Sequence, residues 1–238
     1  MTNVDPDGPC DTRMMGVVHS ALRRDLVRAR MLLADTDSLT DRRRVALADH
    51  IVWLMDFLHA HHSNEDAGLY PMTLRNDPST AGLVAAMGAD HERIDHAMAA
   101  LRSAADSCRD DAGASGALVD ALAGLDDVLI PHLSREETVM MPAVSACVSQ
   151  AELKQWDDEM NVGGKPMLQL AMEGHWLLDN LDDDGRDAVV ALVPPFPRFV
   201  LLHLLGGRYR RRRALLWQDD AAARVPSLSL ELYPEYVR

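Results

Sequence analysis

The sequence predicts an all-α fold, with a four-helix bundle in residues 1–148 and a helical extension in residues 149–238. Apolar residues recur at spacings of three and four along four stretches of the first part, as on the buried face of a helix. One pattern of histidines and acidic residues occurs twice there, which indicates an internal repeat. No run of alternating β-branched residues predicts a strand.

Breaker residues and helix caps divide the first part into four helices. A polar tail to about residue 12 precedes the first helix, and a turn with good N-cap residues precedes the second. The loops RNDPST and DDAGASG come before the third and fourth helices, and Pro131 and Pro142 are expected to kink the fourth. The four predicted helices cover residues 13–35, 40–69, 80–107 and 116–147.

The extension contains shorter helical patches, predicted over residues 151–160, 166–181, 185–192 and 196–213. The last patch ends in a basic cluster, Arg208 to Arg213, for which two interpretations are open. The cluster could bind an anionic partner or a membrane surface. Alternatively, the helix could pack on the bundle with its arginines close to acidic residues elsewhere in the chain. We favour the second interpretation.

The repeated pattern consists of residue types that bind metals. Residues 61–71 read HHSNEDAGLYP, and residues 132–142 read HLSREETVMMP. A further matched histidine precedes each copy, in the segments Met15-Gly16-x-x-His19 and Met87-Gly88-x-x-His91. The candidate metal ligands are therefore His19, His61, Glu65, His91, His132 and Glu136.

The spacing of these residues places them on the buried faces of the predicted helices. Residues four positions apart lie on the same face of a helix, so each His-x-x-x-Glu pair points one way. On the second helix an apolar stripe leads directly into the pair: Leu47, Ile51, Leu54, Leu58, His61 and Glu65. An unpaired buried carboxylate costs several kcal/mol, and no Lys or Arg shares these stripes. One such pair would be explained by packing, but two copies in register predict a dinuclear metal site.

Composition excludes several classes of protein. The formal net charge of −13 argues against general nucleic-acid binding, which needs a basic surface. Cys10, Cys108 and Cys147 have no metal-binding or redox spacing, so a disulfide framework is not expected. The polar, acidic N-terminus does not resemble a signal peptide, and the best apolar run, 189–205, is broken by prolines. A cytoplasmic protein is therefore predicted.

The series His, His-x-x-x-Glu, His, His-x-x-x-Glu, with a proline closing each copy, resembles the hemerythrin family, specifically its HHE cation-binding branch, over about residues 13–147. The resemblance implies an up-down four-helix bundle that holds two non-haem irons, Fe2+ or Fe3+, with an oxo or hydroxo bridge. It also implies two bridging carboxylates and two histidines for each iron: Glu65 and Glu136; His19 and His61; His91 and His132. Manganese or zinc could replace iron, because imidazole and carboxylate suit all three metals.

One departure from the oxygen-carrying hemerythrins bears on activity. These carriers have a fifth histidine one helical turn after the histidine of the third helix, where this chain has Asp95. Asp95 could bind a metal, or it could face a neighbouring helix and bind nothing. The last carboxylate of the carriers lies five residues after its histidine, whereas Glu136 lies four residues after His132 and Glu137 lies five after it. Fewer nitrogen ligands favour a site that reacts with oxygen over a reversible carrier.

Other polar neighbours of the candidate ligands have open roles. His62 adjoins His61 and could be drawn towards the same iron. Three acidic residues are close enough in sequence to orient the ligand histidines through their second ring nitrogens. These residues are Asp66, Asp90 and Glu137.

Three functional hypotheses follow. The first is an oxidase or peroxide-consuming oxidoreductase that reacts with O2 or peroxide, has no catalytic residue beyond the metal ligands, and could also take a small-molecule substrate. The second is a sensor or carrier of O2, NO or iron, with residues 149–238 as its output. In the third, the metal only stabilises the bundle. All three predict that Ala at Glu65 or Glu136 removes both metals, and that replacing His50 or His59 does almost nothing.

Overall fold

The computed structural model describes residues 5–35, 39–192, 203–218 and 220–237, and within them it confirms the all-α four-helix bundle. Helix α4 packs against both α2 and α5, and α1 packs against α5. Two short helices, α3 and α6, continue the directions of α2 and α5. The bundle helices are α1 (Arg13–Ala34), α2 (Asp41–Asn64), α3 (Tyr70–Asn76), α4 (Ala81–Asp110), α5 (Ser115–Arg135) and α6 (Met141–Cys147).

Both copies of the repeat are interrupted by a π-helical turn that begins at the motif glutamate. These turns span Glu65–Leu69 and Glu136–Met140. Each is followed by a proline, Pro71 or Pro142, in the first turn of the next helix. A proline has no N–H to donate and its ring clashes with the carbonyl four residues earlier, and the wider turn relieves that conflict. The kink expected at Pro142 is thus a π turn, whereas Pro131 lies within α5 and does not end it.

The candidate ligands lie between two apolar cores along the bundle axis. The larger core is formed by side chains such as Leu22, Leu58 and Leu129. The smaller core, which includes Met87 and Met140, fills the end of the bundle next to the π turns. A polar cluster is therefore enclosed on both sides by side chains that exclude water.

In the described part of residues 149–238 there are four more α-helices, and several of them pack on the bundle. They are α7 (Gln150–Asp157), α8 (Met167–Leu177), α9 (Asp183–Leu192) and α10 (Gly207–Leu216). Helix α1 packs against both α8 and α9. No helix in the described part of the chain is long and apolar enough to cross a membrane. The division into two domains at residue 148 stays a prediction.

A buried ionic network joins α1 to the C-terminal residues. Asp25 is fully buried and lies 2.7 Å from Arg24 Nε, 2.8 Å from His50 Nε2 and 2.9 Å from Trp176 Nε1. Arg28 donates to Asp179 at 2.6 Å. His50 is therefore a buried member of this network, and we expect its replacement to cost stability; that its replacement leaves the metal content unchanged stays a prediction.

Helix α10 packs against α2, in agreement with the second interpretation, whereas three arginines of its basic cluster, Arg208, Arg210 and Arg211, are exposed. Arg213 donates to Asp179 Oδ1 at 2.7 Å, and the guanidinium of Arg212 lies 5.3 Å from the centre of the Trp53 ring. Tyr209 is buried and also donates to Asp179, at 2.9 Å. The start of the predicted patch, residues 196–202, lies outside the described residues.

Candidate metal centre

Two of the predicted histidines form one half of a buried cluster. The Nε2 atoms of His19 and His61 lie 3.4 Å apart. Glu65 Oε1 lies 3.1 Å from His61 Nε2, and Glu136 Oε2 lies 3.4 Å from His19 Nε2. Each glutamate therefore reaches one histidine of this pair.

The other two histidines form the second half. The rings of His91 and His132 meet edge to face, with centroids 4.8 Å apart. Glu65 Oε2 lies 3.7 Å from His91 Nε2, and Glu136 Oε2 lies 3.5 Å from His132 Nε2. Each glutamate thus sits between a histidine of one pair and a histidine of the other. Glu65 reaches them through its two oxygens, whereas Glu136 reaches both through Oε2.

Many buried polar atoms of the cluster have no hydrogen-bond partner among the described residues. They include both carboxylate oxygens of Glu65, Oε2 of Glu136, and the Nε2 atoms of His91 and His132. A buried polar group without a partner costs about 1–3 kcal/mol, and more if it is charged. Cations accept lone pairs from all of these atoms, so the donor set fits metal binding.

The electrostatics of the cluster also suit cations. Burial, the Glu136 charge and the Asp66 charge raise the pKa of Glu65 well above its usual range. Burial would also raise the pKa of Glu136, but the close approach of His132 and the charge of His19 outweigh it and lower that pKa. Burial and the neighbouring His19 lower the pKa of His61 to about 3, which keeps the ring in the neutral form that binds metals.

Acidic side chains orient two of the histidines from behind. Glu137 Oε1 lies 2.9 Å from His19 Nδ1, and Asp66 Oδ2 lies 2.9 Å from His91 Nδ1. An ionised carboxylate only accepts hydrogen bonds, so Nδ1 carries the proton and Nε2 presents a lone pair to the centre of the cluster. Asp90 lies farther away, 3.7 Å from His132 Nδ1, and pairs with Arg93 and Arg135 instead.

Sequence reasoning missed Tyr70, which is 1% exposed and donates from its hydroxyl to Glu136 Oε1 at 2.6 Å. Tyr70 lies five residues after Glu65, and in a regular helix it would lie on a different face. The intervening π turn brings the fifth residue towards the face of the glutamate. The signal that could have found it is Pro71, because a proline inside a continuing helix demands a local adjustment of the backbone.

The positions of Asp95 and His62 show which of them lies in the cluster. Asp95 is half exposed and lies 3.4 Å from His59 Nδ1, so it faces α2 at the surface and does not reach the cluster. His62 is buried, and it lies beside His91 and His132 rather than with His61 and His19.

The comparison with protein families agrees with the geometry. A family model described as the hemerythrin HHE cation-binding domain matches residues 11–160, which is more than half of the chain and contains all six candidate ligands. No curated protein and no solved structure matches the chain.

Proposed function

The chain belongs to the hemerythrin HHE cation-binding family, and we propose that it is a non-haem di-iron protein that reacts with O2 or peroxide, as an oxidase or a peroxide-consuming oxidoreductase. The observation that carries this proposal is the pair of buried carboxylates, Glu65 and Glu136, each set between a histidine of one pair and a histidine of the other. His19 and His61 would hold one iron, and His91 and His132 would hold the other.

Two bound irons that change between the ferrous and ferric states would supply the two electrons that reduce O2 to peroxide or peroxide to water. The chain would hold these ions through imidazoles whose Nε2 atoms face the centre of the cluster. Glu137 and Asp66 fix the direction of two of these rings from behind.

Tyr70 supports turnover rather than simple binding. Reduction of O2 or peroxide consumes protons, and the Tyr70 hydroxyl holds a proton 2.6 Å from Glu136 Oε1. Burial and the charges of Glu65 and Glu136 raise the pKa of this phenol well above its usual value, so the proton stays on the oxygen at neutral pH. The position of this hydroxyl within the cluster would allow it to donate its proton when negative charge develops nearby, which is the role of a general acid.

The burial of the cluster supports a small reactant. All six candidate ligands are at most 8% exposed, and His61 is the most exposed of them. Apolar side chains close the bundle on both sides of the cluster. We infer that a molecule the size of O2, peroxide or NO would enter next to His61.

A second function, that of a sensor, has its own supporting observation. Arg23 donates to Glu137, which contacts His19, and it also lies 3.4 Å from the carbonyl oxygen of Leu228 in the C-terminal extension. A change at His19 could therefore be transmitted to the extension through one guanidinium. This contact supports an O2-, NO- or iron-binding sensor whose output is the extension.

The test compares reaction with peroxide and with O2 in the iron-loaded protein. We expect about two irons per chain, consumption of added peroxide, and irreversible oxidation of the reduced protein by O2 in rapid mixing with optical detection. Glu136→Ala should lose iron and activity together. His59→Ala is the matched control, because His59 lies on α2 but is exposed.

The outcomes separate the two functions. Failure of the iron-loaded protein to consume peroxide or to be oxidised by O2 in the presence of reductant would refute the oxidoreductase. An optical change that reverses when oxygen is removed would favour the carrier or sensor. A change in hydrogen exchange of the extension on ligand binding would then single out the sensor.

A further inference from the structure

His62 is a buried histidine of the cluster that the predicted ligand set leaves out. Its side chain is 2% exposed, and neither of its ring nitrogens has a hydrogen-bond partner among the described residues. A neutral imidazole carries one N–H donor and one acceptor, and leaving such groups unpaired in a protein interior costs about 1–3 kcal/mol each. A side chain buried at that cost calls for a partner.

The ring of His62 lies in the second half of the cluster. It stacks on His91 with centroids 4.1 Å apart and meets the ring of His132 edge to face at 5.1 Å. One ring nitrogen from each of these three histidines lies within 4.8 Å of the other two. His61 instead contacts His19. Successive residues of a helix point about 100° apart, which explains why these two neighbours face different halves.

We propose that His62 is a third imidazole ligand of the cation that His91 and His132 would hold. This inference rests on the proposed function, because it requires a cation between these histidines. It differs from the expectation that His62 is drawn towards the iron of His61. A ligand ring contains its metal–nitrogen bond in its own plane, so His62 must tilt out of its stack on His91 when it binds.

The two halves of the site then differ in their ligands. One cation receives three imidazoles, and the other receives only those of His19 and His61. The cation at His19 and His61 therefore has more open coordination positions for a small ligand. His62 also takes the place of the missing nitrogen ligand at position 95, although it comes from α2 rather than α4. The case for turnover therefore rests on Tyr70 rather than on a shortage of imidazoles.

The test uses Co2+ as the probe and proton NMR as the readout, which is independent of activity. A histidine bound to Co2+ contributes an exchangeable N–H resonance far outside the usual proton range. His62→Phe keeps an aromatic ring against His91 but removes both nitrogens. We expect this variant to lack one shifted N–H resonance. We also expect it to bind the Co2+ at His91 and His132 at least about tenfold more weakly. His59→Phe, at an exposed site on the same helix, should match the wild type.

A cavity variant guards against a folding defect in His62→Phe. His62→Ala should regain the missing affinity when free imidazole is added, because the imidazole can occupy the space left by the side chain. Full Co2+ affinity with every shifted resonance in His62→Phe, or no response of His62→Ala to imidazole, would identify His62 as a packing residue. If the wild type takes up neither Co2+ nor Fe2+, the proposed metal centre itself is wrong.

Discussion

The guanidinium of Arg23 and the carboxylate of Glu137 form a partly buried ion pair next to the candidate metal centre. Arg23 Nη2 lies 2.5 Å from Glu137 Oε1, the same oxygen that lies 2.9 Å from His19 Nδ1. Arg23 is fully buried, and its Nη1 atom lies 3.4 Å from the carbonyl oxygen of Leu228. One side chain of α1 therefore links the C-terminal extension to a histidine of the cluster.

Arg23→Met should weaken metal binding without removing any ligand. Loss of the guanidinium leaves Glu137 less firmly held, so it orients His19 less well, and we expect about a tenfold lower metal affinity. Competition with a chelator measures this affinity. Arg30→Met is the control, because Arg30 lies on the same helix and contacts Tyr233 and Asp126 but not Glu137. Equal affinities in the two variants would show that the ion pair does not support the centre.

Glu65→Gln should have opposite effects with and without metal. The folded, metal-free protein has a raised Glu65 pKa, so this carboxyl costs stability as pH rises above its ordinary pKa of about 4.3. Glutamine removes that cost, and we expect the metal-free variant to be about 1–3 kcal/mol more stable at pH 7. Added metal should stabilise the wild type and not the variant, as thermal unfolding would show. A metal-free Glu65→Gln that is less stable than the wild type would contradict the assignment.

Tyr70→Phe should retain its metals and lose activity. The change removes the hydrogen bond to Glu136 and the proton that the hydroxyl holds there, so peroxide consumption should fall at least about tenfold at unchanged iron content. Tyr209→Phe is the matched control, since Tyr209 is also buried and donates to Asp179. Unchanged peroxide consumption in Tyr70→Phe would remove the main support for turnover.

Gly68→Ala should destabilise the first π turn. A Cβ at Gly68 would lie 2.5 Å from Cδ1 of Trp156, whose Nε1 donates to the carbonyl oxygen of Asn64 at 3.1 Å. The indole would have to move, and we expect a loss of about 1–3 kcal/mol in the free energy of unfolding. Gly124→Ala, at a helical position with open space, should instead be stabilising by about 0.5–1 kcal/mol. In a Trp156→Ala background the Gly68→Ala penalty should vanish, and its persistence would rule out this clash as the cause.

The buried network around Asp25 predicts a pH dependence that is separate from the metal site. Burial would raise the pKa of Asp25, but Arg24, the His50 hydrogen bond and Arg28 lower it well below its usual range. A depressed carboxyl pKa contributes stability that is present above the unfolded pKa, about 3.9, and is lost as pH falls through the folded pKa. Asp25→Asn should therefore cost about 3–5 kcal/mol at pH 7 and progressively less in acid.

Urea unfolding at several pH values between 7 and 3 would measure this difference. Asp49→Asn is the comparison, because Asp49 pairs with Arg109 at the surface and should contribute no more than about 1 kcal/mol. A constant difference between wild type and Asp25→Asn across this pH range would contradict the account.

Helical periodicity explains how much of this site could be foreseen. His61 and Glu65 are four residues apart, so a helix places them on the same face. His132 and Glu136 repeat this spacing in the second copy. The acidic neighbour of each glutamate was expected behind a histidine, and Asp66 lies there beside His91. Their role as metal ligands and orienting groups stays a prediction for the experiments above.

The sequence did not predict Tyr70 at the site, and it did not predict which half of the cluster His62 faces. Tyr70 is on the wrong face of a regular helix, and only the π turn before Pro71 brings it to Glu136. His62 adjoins a candidate ligand, but which half of the cluster it faces depends on where α4 and α5 lie. Neither fact is encoded in a spacing along one helix.

By itself, the sequence determined the all-α bundle and the six side chains that lie together at its centre. These follow from short-range geometry, because residues four apart share a helix face. A carboxylate on the buried face of a helix also needs a partner, since its burial is otherwise costly. Only the tertiary structure decided that Glu137 meets Arg23, that Asp25 ties α1 to Trp176, and that the C-terminal extension reaches the site. All three contacts join residues more than 100 positions apart in the chain, so they depend on how the helices pack.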